Sequence, residues 1–509
     1  MPVLTQHQRT ILETAVKLGR KAAEKGAYNA LQAMAVDHPE PFAHMNSDQR
    51  ILRNLLRSKA RLLGDKLEAT GRQQINKLSY ELAYETWHKL LFAEFLEANQ
   101  LLMHTDGVAV SFTDVEELYK EEGFADKWDA AAAYASHMLP AIFRPEDPLM
   151  KVPYSTNDRI ALEEIIDSLE TSIFTSDDAL GWVYQFWQSE AKAAINASGD
   201  KIDGEKLPAV TQLFTEPYMV HFLIDNILGA WWVSRHPGVK PPIKFDYLRL
   251  LEDGAPAAGK FEGWPDKTSE VTSLDPCMGS GHFIASLFSV FVALRMYEEG
   301  LSKEEATDKV ISENLHVLEL DPRCTQLAAF NLALTAWKFC GHYKELPEMN
   351  LACSGMAPKG KMEDWVKLVG KVERAEDKTR MENGMKTLYE HFQLAPELGS
   401  LLDPITIKAD AFTASFEELE PVLRRALENE ADEEQVVRGV MAAGIAKTGQ
   451  LLSKKYTLQI TNVPYLGKKK QDKILATYTS ENYSAAKSDL ATVFLERLQK
   501  TSKNGGIIC

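Results

Sequence analysis

The chain has 509 residues, of which 45% are hydrophobic and 26% charged, with a formal net charge of −16. That balance excludes a disordered, collagenous or small disulfide-bonded protein, and at roughly 100–200 residues per domain it predicts two to four domains. No run of about 18 apolar residues exists, so no membrane span is expected, and the first residues lack the apolar core of a signal peptide.

Residues 1–205 read as a helical domain. Ile51, Leu52, Leu55, Leu56, Leu62, Leu63 and Leu67 recur near a 3.6-residue period. Segments 81–102, 130–138 and 160–174 continue the pattern, with Pro and Gly clustered between them. Residues 1–78 hold 13 Lys and Arg against 7 Asp and Glu, so the basic pole of this acidic chain lies at its N-terminus. Such a pole is either a solvated helix face or a salt-sensitive contact to a nucleic acid backbone.

The texture changes over 206–509. Short apolar runs (VTSLDP, LHVLELDP, ITIKAD, YTLQITN, GGIIC) precede helical patterns. Strand–helix alternation predicts an α/β domain with a parallel sheet, carrying a helical insert at about 355–402. Ligands bind such sheets at the carboxyl ends of the strands, so chemistry is sought in the loops that follow them. The five cysteines form no C-x-x-C pair, which predicts reduced thiols, no zinc site and a cytoplasmic protein.

The first loop is Asp275-Pro-Cys-Met-Gly-Ser-Gly-His-Phe283, between a strand at 271–274 and a helix at about 281–299. Gly279 and Gly281 permit a tight turn and close approach of backbone to a ligand. No Lys follows the glycines, so this is not a phosphate-binding loop, and a carboxylate at the strand end suits an amine or sulfonium better than a phosphate. The second loop places Glu319 and Asp321 at a strand end. Glu319 lies 38 residues beyond Gly281, farther than the ~20 of a dinucleotide fold; it either binds ribose hydroxyls or is a solvated carboxylate. The third, Asp410-Ala-Phe412, follows an expected strand at 405–408; a carboxylate there is often only a helix cap.

The fourth loop, Thr461-Asn462-Val463-Pro464-Tyr465, follows an expected strand at 456–460. Asn462 supplies an amide oxygen, Val463 a carbonyl, Pro464 a fixed turn and Tyr465 an aromatic face. Two acceptors beside a stacking ring form a receptor for a planar group bearing –NH₂; the plainer alternative is an Asx-type turn ending a strand. Ser488–Arg497 reads as a structural helix start, followed by a turn at 503–506 and a final strand at 507–509.

In this order the segments resemble the γ-type adenine-specific amino-methyltransferases of DNA, and in particular the large methyltransferases of the BREX and DISARM phage-defence systems. DPCMGSGHF is similar to the family's D-P-A-C-G-S-G-H-F, and TNVPY to its N-P-P-Y loop. ELAYETWHKLLFAEFLEANQLL and the insert are similar to segments of those defence enzymes. The resemblance implies a Rossmann-like sheet that binds S-adenosylmethionine. It implies that Phe214, Thr215 and Pro217 close over the methionine part of the cofactor, that Asp275, Pro276, Gly279 and Gly281 hold its amino-acid part, and that Glu319 binds its ribose. Asp410 and Phe412 would hold its adenine, and Asn462, Val463, Pro464 and Tyr465 the target adenine flipped from duplex DNA. Val463 stands where the family has Pro, but that position acts through its carbonyl, which Val retains. Other subunits of a defence system are implied as partners, with no membrane and no metal. The family's sheet continues past the strand at 507–509 and is followed by a target-recognition domain, so the chain is expected to be C-terminally incomplete, with a last strand cut to three residues. Methylation of an RNA or protein amide, and a catalytically idle module that binds cofactor or partner, remain open as alternatives.

Overall fold

The computed structural model describes residues 3–144, 147–211, 213–370, 374–407, 410, 412–426 and 433–509. The chain divides into two compact units, Met1–Trp187 with Gly341–Glu345, and Gln188–Cys340 with Leu346–Cys509. No helix among the described residues is long and apolar enough to cross a membrane.

The first unit is built from helices α1 (Gln6–Ala33), α2 (Ser47–Leu63), α3 (Asn76–Ala98), α4 (Lys127–Met138) and α5 (Thr156–Asp167). Capping boxes start α1 at Thr5 and α2 at Asn46, satisfying N–H groups that the helix itself leaves free. The apolar segment read at 81–102 becomes α3, which is buried on most of its circumference, as an all-round apolar helix must be. The run at 160–174 splits into α5 and a separate short turn of helix at Thr171–Phe174. Several arginines of this unit are committed to its own backbone or side chains. Arg53 donates to the Ala35, His38 and Pro39 carbonyls, and Arg57 to those of Val36, His38 and Gly71. Arg50 donates to the Met45 carbonyl and Arg61 to Gln73 and Ser58. These guanidiniums hold the connections flanking α2 and stabilise the fold.

The second unit contains a five-stranded, wholly parallel sheet of order β3-β2-β1-β4-β5. Its strands are β1 (Ser273–Asp275), β2 (Leu315–Glu319), β3 (Leu351–Cys353), β4 (Tyr456–Gln459) and β5 (Ser502–Ile508). Helices α6 (Pro217–Ile224), α7 (His282–Glu299) and α8 (Pro322–Cys340) lie between or before the first three strands. Helices α9 (Ala375–Phe392), α10 (Phe416–Arg425) and α11 (Glu433–Ser453) fill the connection from β3 to β4. Helices α12 (Lys473–Asn482) and α13 (Leu490–Lys500) precede β5. Leu315 and Val317 enter one apolar layer with α7, while Leu318 enters the other with α9, α10 and α11. The two-residue period of the strand thus feeds a core on both faces, as buried parallel sheets require.

Two strand expectations are corrected. Of the strand expected at 405–408, the described residues 405–407 form none: a 3-10 turn covers Pro404–Thr406, and Lys408 lies outside the described residues. The third strand is Leu351–Cys353, paired with Val317–Glu319 of β2. The final strand has seven residues, where three were expected. Pairings Tyr456↔Ser502 and Leu458↔Ile507 enclose an irregularity, and the glycines read as a turn are absorbed within it. Bulges hold such extra residues without ending the ladder.

Arg497 of α13 is 2% exposed and donates to the Leu402 carbonyl at 2.9 Å and the Leu452 carbonyl at 2.8 Å. It joins the insert, the end of α11 and α13 through one side chain. Arg497→Met should leave both carbonyls unpaired and cost about 3 kcal/mol in the urea-unfolding free energy of the chain; a loss below about 1 kcal/mol would show that the packing of α13 does not depend on these bonds.

Candidate functional site

Strand order places the crevice. From β1 the chain moves outward through β2 and β3, then returns to the other side of β1 for β4. The loops after β1 and β4 therefore diverge, and ligands bind at such a switch point. A cleft opens there, lined by Pro276–Ser280 after β1, Glu319 and Leu320 at the end of β2, Ser354 after β3, and Asn462 and Pro464 after β4. Phe214, Thr215, His282 and residues 397–401 also line it, together with apolar side chains that include Leu207, Leu475, Leu490 and Phe494.

The glycine loop is shaped for close packing. Gly281 has φ +80° and precedes α7; a Cβ on it would stand 2.9 Å from the Ala328 backbone of α8. Gly279, at φ +53°, donates its N–H to Glu319 Oε2 at 2.9 Å. Glu319 Oε1 accepts the N–H groups of Leu320 at 2.8 Å and Asp321 at 3.1 Å. Burial pushes the Glu319 carboxyl up to about 7, with the three amides opposing and Asp321 adding to the rise. Asp275 is 1% exposed, behind Pro276 and Cys277. Its Oδ1 accepts the Cys277 N–H at 3.1 Å, while the buried Oδ2 accepts no hydrogen bond within 3.5 Å among the described residues. Burial pushes this carboxyl to about 7 against the nearby Thr461 hydroxyl and the Cys277 amide. The same burial, with Glu319 and Asp275 alongside, holds the Cys277 thiol well above its usual range, so it stays protonated.

Opposite this wall, Asn462 Nδ2 donates to Thr215 Oγ1 at 3.2 Å. Asn462 Oδ1 and the Val463 carbonyl accept no hydrogen bond from the described residues. The Val463 side chain packs against the core that α9, α10 and α11 also enter, and Tyr465, next to Pro464, is 65% exposed. Phe214 is buried with its ring centroid 4.8 Å from that of His282.

The cleft thus brings together Phe214, Thr215, Pro276, Gly279, Glu319, Asn462 and Pro464, with Asp275, Gly281, Val463 and Tyr465 directly adjoining in sequence. Pro217 opens α6 two residues beyond Thr215 and does not line it. Asp410 and Phe412 are not brought to it. Asp410 is exposed and its Oδ1 accepts the Phe412 N–H at 2.7 Å, which holds its carboxyl below the usual range. Phe412 is 74% exposed. Because the third strand is Leu351–Cys353, the loop that reaches the cleft begins at Ser354. The Ser400 hydroxyl joins it there, donating to the Pro276 carbonyl at 2.6 Å and lying 3.3 Å from Ser354 Oγ. Sequence reading missed Ser354 and Ser400: a three-residue strand carries too little periodicity to register.

With this geometry in view, residues 313–509 match the family model described as Eco57I restriction-modification methylase. The chain is 26% identical over 505 residues to the adenine-specific methyltransferase PglX of Lacticaseibacillus casei (strain Zhang), covering 88% of this chain and 40% of PglX. It is 25% identical over 398 residues to the adenine-specific methyltransferase BrxX of Escherichia coli O9:H4 (strain HS), covering 73% of this chain and 32% of BrxX. It is a homologue of these methyltransferases. The chain spans well under half the length of either relative. Among solved structures, a DrdV–DNA complex matches at TM-score 0.40 and 13% identity, over 97% of this chain and 35% of that one.

The buried carboxyls set a pH signature. The folded chain keeps protons on Asp275 and Glu319 that the unfolded chain has released between about pH 4 and pH 7. Both groups therefore lower stability as pH rises through that window, after which their effect is constant. Asp275→Asn should raise the melting temperature of the ligand-free chain at pH 8 and leave it unchanged at pH 4, as scanning calorimetry would read; an unchanged or lower value at pH 8 would contradict the burial argument.

Proposed function

We propose that the chain methylates the exocyclic amine of adenine in DNA within a phage-defence, restriction-modification-like system, using S-adenosylmethionine bound in this cleft. The observation that carries the reading is the Asn462–Thr215 bond. It turns the amide so that Asn462 Oδ1, together with the Val463 carbonyl, is left as an open acceptor pair.

The cleft fits the cofactor chemically. Asp275 offers a buried carboxylate oxygen with no partner, and Glu319 a second carboxylate at the wall. Two anionic groups in a part-apolar cleft favour a ligand carrying an ammonium and a sulfonium. Glu319 would take the ribose hydroxyls. Ser354 and Ser400, in place of Asp410, would face the cofactor's adenine. When bound, the cofactor supplies a methyl group already activated on positive sulfur.

The protein's task is then the amine. Its lone pair is delocalised into the adenine ring. Acceptance of its two N–H groups by Asn462 Oδ1 and Val463 O localises that pair on nitrogen, and fixed dipoles of this kind cost no reorganisation during reaction. No strong base is required. A base inside a duplex cannot reach the cleft, so it must be flipped, and Tyr465 would replace lost stacking, worth roughly 1–3 kcal/mol.

Asn462→Ala should bind S-adenosylmethionine with wild-type affinity by calorimetry yet lose tritium transfer to DNA by on the order of 100-fold; wild-type transfer in this variant would sink the acceptor-pair account. The carboxyls at about 7 must ionise to meet a cationic ligand, so cofactor affinity should strengthen from pH 6 to pH 8, and an affinity flat across that range would remove Asp275 and Glu319 from the binding site.

A further inference from the structure

Immediately beyond the Asn462–Tyr465 loop, Lys468, Lys469 and Lys470 form a 3-10 turn, and Lys473 opens α12. Four lysines in six residues occur in a chain whose acidic residues outnumber its basic ones 73 to 57. The one acid among them is turned away. Asp472 caps α12, its oxygens accepting the N–H groups of Leu475 at 2.9 Å and Ile474 at 3.0 Å. Lys468 reaches Ser480 Oγ at 2.8 Å. Lys469, Lys470 and Lys473 form no ion pair within 4.0 Å among the described residues.

The turn is held from both sides. Ile202 N–H donates to the Lys470 carbonyl at 2.8 Å, and Asp472 N–H returns a bond to the Ile202 carbonyl at 2.9 Å. Lys468 N–H donates to the Ser488 carbonyl at 3.0 Å, and Lys201 Nζ donates to the Lys469 carbonyl. Between the lysines and Asp472, the Gln471 side chain is buried and donates to the Leu466 carbonyl at 3.0 Å. Exposed cations concentrated on a backbone fixed this firmly repel one another, and a site built so is preorganised for a polyanion.

We infer that this lysine turn clamps the DNA backbone phosphates next to the base received by Asn462–Tyr465. The inference rests on the DNA-methylation reading above. Four and five residues of chain reach at most about 14 and 18 Å, so Lys469 and Lys470 stand within those distances of Tyr465, in range of the phosphates flanking an extruded nucleotide. Lysine meets phosphate as a point charge and needs no fixed fork geometry, which suits contacts that position the duplex without reading sequence. Arg50, Arg53 and Arg57 of α2 are committed to backbone carbonyls, whereas the side chains of Lys469, Lys470 and Lys473 are not.

The test measures anisotropy of a fluorescent duplex with the full chain between 50 and 200 mM salt. Each phosphate contact contributes about 0.9 to the slope of log affinity against log salt. The triple variant Lys469→Ala/Lys470→Ala/Lys473→Ala should lower that slope by about 0.9 to 2.7, so that at three contacts the affinity lost across the salt range shrinks by about 40-fold. The matching triple arginine variant should keep the slope, since charge is retained. An unchanged slope in the alanine variant overturns the clamp, as a surface for an acidic protein partner would give; equal loss on duplex RNA and duplex DNA of equal wild-type affinity overturns its assignment to DNA. If the slope falls as expected but the wild-type chain transfers no methyl group, the backbone clamp stands and the methylation reading falls.

Discussion

Three backbone N–H groups from two loops converge on the Glu319 carboxylate, and the cleft takes its form from that convergence. Gly279 belongs to the loop after β1, and Leu320 and Asp321 to the loop after β2. The Ser354 N–H, from the loop after β3, donates to the Glu319 carbonyl at 2.6 Å. One residue therefore ties together the carboxyl ends of three adjacent strands. Bonds to a charged acceptor contribute roughly 1.5–3 kcal/mol each, yet burial opposes the charge they serve. The result is a carboxyl poised near neutrality, held in place by amides and able to respond to a cation.

Asp275 is the complementary case. It sits one strand away on β1 with one oxygen engaged and the other buried without a partner. A structure selected for stability alone would fill that site with an apolar side chain. Retaining an incompletely satisfied acid beside a glycine loop costs stability and leaves, behind the cleft wall, a carboxyl that ionises near neutrality. Across the switch point, the Asn462 amide is oriented by Thr215, so the two sides of the cleft differ in chemistry: carboxylates on one, neutral acceptors on the other. In the proposed function, that division keeps a cationic methyl donor apart from a neutral, planar acceptor.

Charge is partitioned in the same way. The basic balance of residues 1–78 is real, but the arginines of α2 satisfy carbonyls in the neighbouring connections, where a guanidinium serves several oxygens at once. The lysines at 469, 470 and 473 sit in an acidic chain without such duties. Net charge counts both groups alike; only hydrogen-bond partners distinguish a structural cation from an available one.

The sequence alone determined whatever rests on local pattern. The helical texture of residues 1–205, the strand at 315–319, the glycine loop opening α7 and the strand before Asn462 are written in runs of five to twenty neighbours, because helix and strand periods are local properties. Other features depended on residues distant in the chain. Leu351–Cys353 is a strand because β2 offers it an edge, while the more strand-like segment from 405 enters a 3-10 turn over Pro404–Thr406. Ser354 and Ser400 enter the cleft, and Asp410 and Phe412 stay outside it, as a consequence of that single choice of strand. Likewise the Asn462–Thr215 bond spans 247 positions, and the partners of Arg53, Glu319 and Lys469 are set by which loops meet. Pairing energies in a parallel sheet come from partners joined through long crossovers, so tertiary structure decided which strand-end residues share one cleft.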